Sequence, residues 1–139
     1  GMLQRAGLAR AMAWFATAGQ RSDTMSGAAG RLTRAMMAHP ELVAGEDRAC
    51  TDLMRAMDGR AAIKTGAEGV FCAALPEDGM GLALKVRDGA HRAAVAAIEW
   101  LLTSLGRYDG EVGEMIENRT GTTVGEVRVA DGGTRPDRS

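Results

Sequence analysis

Apolar residues return at helical spacing near the start of the chain, with Leu8, Met12 and Phe15 beside Ala11. The spacing predicts a helix over residues 3–18, with Gly19 available as its C-cap. After a polar break at residues 20–23, a second periodic stretch runs to Ala38 and sets Met25, Leu32 and Met36 on one side and Arg31 and Arg34 on the other. It ends at His39-Pro40, because a residue before proline is pushed out of the helical region. Residues 41–45 read as a turn. A third helix is expected from Asp47 as N-cap, with Leu53, Met54 and Met57 as its apolar face and Gly59 past its end.

At Arg60 the period changes. Short apolar or alternating runs at 61–65, 70–75 and 82–86 are separated by Gly66-Ala67-Glu68-Gly69 and Pro76-Glu77-Asp78-Gly79, which predicts a three-strand antiparallel meander. Asp88 then caps a fourth helix whose Val95, Ile98, Leu101, Leu102 and Leu105 form a stripe that stops at Gly106. The acidic stretch 110–118 has no clear period, 124–129 alternates like a final strand or extended strap, and 131–139 is a polar tail expected to be disordered. Helices packed on a small antiparallel sheet give an α+β fold, in one domain over residues 2–130.

The chain has 139 residues, 45% of them hydrophobic, enough for one core and too few for two domains. Seventeen basic residues against eighteen acidic ones leave a net charge of -1, so neither nucleic acid nor an acidic membrane surface is expected as a partner. Only Lys64 and Lys85 among the basic residues are lysines. They are worth tracing because lysine, unlike arginine, gives up its proton when desolvated. Cys50 and Cys72 stand 22 positions apart with no CxxC or Cys/His cluster, so no disulfide framework and no metal site is expected, and a reducing, cytoplasmic setting follows. Arg5 and Arg10 break any leader-like apolar run, and Gly1 before Met2 reads as the scar of a removed tag. His39 and His91 fall at helix ends, where capping or exposed roles are commoner than catalytic ones, and Gly79-Met80-Gly81 lacks the glycine and helix that a phosphate loop needs.

One segment carries chemistry. Lys64-Thr65-Gly66-Ala67-Glu68-Gly69 puts a strand lysine directly before a tight turn, where backbone N–H groups can hold a developing oxyanion beside a positive charge. Taken alone, Lys-Thr-Gly is a short pattern, and a solvent-pointing lysine is its commonest meaning.

The run Ile63 to Phe71, the hairpin onward to Val86 and the helix after Ala90 resemble the bacterial L-asparaginase II family. Upstream stretches at 38–45 and 51–54 and downstream ones at 118–121 and 124–128 continue the resemblance in the same order. It implies the carboxyl-terminal portion of a serine β-lactamase or glutaminase-like fold, and an activity that hydrolyses asparagine to aspartate and ammonia. Lys64 would then partner a second serine of the family site, keeping its hydroxyl polarised or accepting its proton, and the Ala67 N–H would form half of an oxyanion hole. Thr65 and Gly66 would lie at the substrate. Glu68 joins them as a candidate partner for the substrate ammonium, on charge complementarity alone. The resemblance also implies a Ser-x-x-Lys nucleophile and upstream cysteines that hold zinc in some members, and neither occurs here: Ser22, Ser26 and Ser104 are followed three residues later by Met25, Ala29 and Arg107, and Ser139 is the last residue.

Two readings of function are therefore expected. In one, the chain is a fragment of an amidohydrolase, inactive alone and complemented by an amino-terminal chain. In the other, it is a non-catalytic asparagine-binding or oligomeric module. Neither requires a cofactor. A homodimer is expected through the third strand of the meander, residues 81–87, whose edge would otherwise be unpaired, or through the helix face from Leu8 to Phe15.

Overall fold

The structure is a computed structural model that describes residues 2–130. Its elements follow in the order α1 (Met2–Ala16), α2 (Thr24–Ala38), α3 (Pro40–Ala44), α4 (Ala49–Ala56), β1 (Ala62–Thr65), β2 (Val70–Leu75), β3 (Met80–Lys85), α5 (His91–Ser104), β4 (Glu114–Glu117) and β5 (Thr123–Val127). Five helices pack on a three-stranded antiparallel sheet, and β4 and β5 add a separate hairpin, so the fold is α+β as expected. The tail at 131–139 lies outside the described residues. Among the described residues no helix is long and apolar enough to cross a membrane.

The strand order is β1-β2-β3, with Ile63 opposite Ala73 and Ala73 opposite Leu82. Opposed residues of an antiparallel pair share a face, so the register sorts the sheet into two sides. Ile63, Phe71, Ala73 and Leu75 face one way and are buried with Leu53, Met54 and Met57 of the α4 region and with Ala94, Ile98 and Leu102 of α5. Ala62, Ala74 and Gly81 face the other way, where Ala16, Met12 and Phe15 of α1 and Met36 and Met37 of α2 meet them. Gly81 is where α1 comes closest: a Cβ built there would overlap the Ala9 carbonyl oxygen and the Ala13 nitrogen of that helix. Only glycine admits a helix backbone at that range.

Several local expectations are corrected. Gly19 is not a C-cap; it lies inside a 3-10 turn over Ala18–Gln20, reached after Thr17 Oγ1 donates to the Ala13 carbonyl at 2.9 Å. The helix α2 buries Ser26, Ala29, Gly30 and Thr33, whereas Met25 and Leu32, expected inside, are exposed. The physical reason is close packing, since an added Cβ at Gly30 would lie 3.8 Å from the Ala18 Cβ. Polar members of that face are satisfied locally, with the Thr33 hydroxyl donating to the Ala29 carbonyl at 2.9 Å. Asp23 caps α2 by accepting from the Ser26 N–H at 2.9 Å and the Ser26 hydroxyl at 2.7 Å, which holds its carboxyl below the usual range.

Residues 40–44 form a short helix, with Pro40 at a position where its missing N–H costs nothing. The cap of α4 is Arg48, because Asp47 takes a left-handed conformation at φ 55°. Asp88 stands two residues ahead of the α5 cap and accepts the Ala90 N–H at 3.0 Å. The turn between β2 and β3 is a 3-10 turn closed by Gly79 at φ 59°, and Asp78 within it accepts from Arg107 Nε at 2.8 Å, tying the hairpin to the end of α5. The alternating segment 124–129 does form a strand, but its partner is β4, paired with Ile116 opposite Gly125. It therefore does not add a fourth strand beside β3. Of the two surfaces expected to carry a dimer, the helix face from Leu8 to Phe15 already packs on the sheet through Met12 and Phe15.

Candidate active site

The segment singled out in the sequence forms the end of β1 and the turn into β2. Gly66 N–H donates to the Val70 carbonyl at 2.8 Å and closes the turn. Inside it Glu68 and Gly69 are both left-handed, at φ 55° and 70°. Gly69 has a second reason to be glycine, since a Cβ there would meet the Gly89 backbone at 3.1 Å. The Thr65 hydroxyl lies 3.2 Å from the Val70 carbonyl and 3.3 Å from the Gly66 carbonyl, binding the turn to the strand end.

Lys64 is opposite Cys72 in the register, on the α1 side of the sheet, and is exposed. Its ammonium curls along its own strand and donates to the Thr65 carbonyl at 2.7 Å. Ala67 is exposed at the tip, and among the described residues no acceptor lies against its N–H. Lys64 and Ala67 are therefore both exposed at one end of β1. Glu68 is exposed too, but it is engaged: Lys85 Nζ donates to its carbonyl oxygen and stands 3.8 Å from its carboxylate. The structure thus brings Lys64, Thr65, Gly66, Ala67 and Glu68 onto one turn.

Two residues join the site that sequence reasoning did not assign to it. Cys50, in the first turn of α4, accepts the Thr65 N–H on its sulfur at 3.1 Å. Thr65 is on the outer edge of β1 and its N–H has no strand to pair with, so the thiol closes an edge position that would otherwise be open. Lys85 is the other, as the residue that clamps the turn. Cys72, beside Lys64, donates to the Lys64 carbonyl at 3.6 Å. Burial pushes both thiols up, and both are free cysteines. Among the described residues no group of three or more His, Cys, Asp or Glu side chains is gathered for a metal ion.

A cleft of about 290 Å³ opens on the opposite side of the sheet, between α4, α5 and the β4–β5 hairpin, and none of the expected site residues lines it. There Glu99 accepts the Gly113 N–H at 2.8 Å, and burial pushes its carboxyl above the usual range. His91, at the mouth, stacks on Phe71 with ring centroids 6.1 Å apart.

The molecule is a layered α+β domain with an exposed lysine at the end of an edge strand and an unengaged backbone amide in the turn that follows. The chain belongs to the L-asparaginase II family, which matches residues 2–132. A search among curated proteins finds no match.

Proposed function

We propose that these residues form the lysine-and-turn part of an L-asparaginase site, and that the chain on its own does not hydrolyse amides. The observation that carries the reading is that the exposed Lys64 and the unengaged Ala67 N–H belong to one strand end and its turn, three residues apart. Positive charge and a fixed N–H dipole are what a developing oxyanion needs in amide hydrolysis. The nucleophile is a different matter, because no serine in the 139 residues is followed by lysine three positions on. Stabilising groups without a nucleophile leave only a small residual acceleration over water. Lys64 is exposed, and its ammonium is engaged by the Thr65 carbonyl. A segment bearing Ser-x-x-Lys, set over the open end of β1, would supply both the nucleophile and the cover. That arrangement extends the carboxyl-terminal portion of a β-lactamase-like fold suggested by the sequence.

The test is ammonia release from asparagine and from glutamine by the purified chain, with Lys64→Ala alongside. No release above the blank is expected from either protein. Release by the parent that disappears in Lys64→Ala overturns the claim that the chain is inactive alone.

A further inference from the structure

Net charge hides a division within the chain. Residues 1–40 hold Arg5, Arg10, Arg21, Arg31 and Arg34 against Asp23 alone, and the remaining 99 positions hold twelve basic and seventeen acidic residues. The cationic part forms the α1 and α2 layer. Where its first turns pass over β3 there is a groove of about 780 Å³, within the range of small-ligand sites. Arg5 and Leu8 contribute from α1, and Val70, Ala83, Lys85 and Arg87 from the sheet and its end.

Three features of this groove point to an anion. No acidic side chain lines it, and among the described residues neither Arg5 nor Arg87 has a carboxylate within ion-pair distance. The strand register adds backbone donors. Val86 N–H donates to the Gly69 carbonyl at 2.9 Å, so the alternate residues Lys85 and Ala83 turn their N–H groups away from β2 and off the free edge, beside the groove. Finally, Leu8, Val70, Ala83 and Leu84 give the wall an apolar part, beside the polar Gln4.

We propose that the groove binds a small organic carboxylate with a short apolar body. The guanidinium groups of Arg5 and Arg87 and the edge amides of Ala83 and Lys85 take the carboxylate, for which a planar fork of donors is suited. The aliphatic part lies on Leu8, Val70 and Ala83. Lys85 is shared between this groove and the turn, because its ammonium also holds the Glu68 carbonyl. An occupant therefore bears on the same turn that presents Ala67. The site goes beyond the hydrolase reading and does not depend on it, since Lys64 is not in the lining and the readout is binding.

Butyrate, its neutral isostere butyramide and inorganic phosphate serve as probes, titrated into the full chain at low ionic strength and followed by backbone amide NMR. Butyrate is expected to shift the Ala83 and Lys85 amides saturably, with butyramide at least about tenfold weaker, as follows from losing a charged hydrogen-bonded pair. Arg5→Gln and Arg87→Gln should each weaken butyrate by a similar factor, and Arg31→Gln, on α2, should leave it unchanged. Both groove arginines are exposed, so the two variants keep the parent spectrum and read binding rather than folding. Equal binding of butyramide, unchanged affinity in both groove variants, or an equal loss in Arg31→Gln overturns the proposal. Phosphate binding tighter than butyrate overturns the assignment to carboxylates and leaves a general cationic patch.

Discussion

The two faces of the sheet are packed by opposite means. Toward α4 and α5, the space is filled by side-chain volume, with Phe71, Ile63 and Leu75 set among Met54, Met57, Ile98 and Leu102. Toward α1 and α2, the facing residues are Ala62, Ala74 and Gly81, and space is closed by bringing a helix backbone down onto the strands. Both solutions bury facing residues of the sheet. They leave different exteriors, however. Close approach uses the small residues of α1 and α2 inside and turns Leu3, Met25 and Leu32 outward, along with most of the arginines of that layer. The face filled by volume holds the core together, and the close-packed face carries the lysine, the cationic groove and the exposed apolar residues.

Removing volume is the strongest way to break this difference. Phe71→Ala is expected to cost roughly 4 kcal/mol, from lost apolar burial plus the cavity left behind. The urea unfolding midpoint measures it, and a loss below about 1 kcal/mol would mean that the α4/α5 face is not held by packing at Phe71. Adding volume is the matching test on the other side. Gly81→Ala should cost about 3 kcal/mol, because its methyl meets the α1 backbone, which cannot rotate aside as a side chain can. Gly19→Ala is the internal control, with open space where the methyl would go. If Gly81→Ala and Gly19→Ala unfold at the same urea concentration, α1 does not lie as close to β3 as the register of the two layers requires.

The same difference explains what the sequence revealed. Strands were legible because Phe71, Ile63 and Leu75 are large, alternate and are bounded by glycine turns, and α5 was legible from Ile98 and Leu102. The inner face of α2 was not. Reading by hydropathy assigns Leu32 and Met25 to the core, whereas close packing selects Ser26, Ala29, Gly30 and Thr33 for their size. The β4 strand was hidden for a related reason, since Glu114 and Glu117 are exposed on a hairpin with little to bury, and acidic residues mask the alternation. At the candidate site the turn from Lys64 to Gly69 was readable because its chemistry is local. The contacts that fix it are not local: Cys50 reaches Thr65 across 15 positions and Lys85 reaches Glu68 across 17, and both follow from strand register and helix docking rather than from any motif.

The smallest expected effect is the one that most sharpens the comparison. Leu32 is 53% exposed on α2 and Met25, one heptad earlier, is 69% exposed. Replacing Leu32 with glutamine keeps helix propensity nearly constant, so the change reports burial and little else. A residue already facing water has little apolar area to lose, and Leu32→Gln should therefore shift stability by no more than about 0.5 kcal/mol. That is a fraction of the Phe71→Ala loss, although a hydropathy scale ranks the two positions together as core. Urea unfolding at several protein concentrations makes the measurement decisive. A loss above about 1.5 kcal/mol that grows with protein concentration would show Leu32 covered by another copy in solution. The same loss at every concentration would instead put Leu32 inside the α1/α2 layer, and the packing of small residues against the sheet would have to be abandoned.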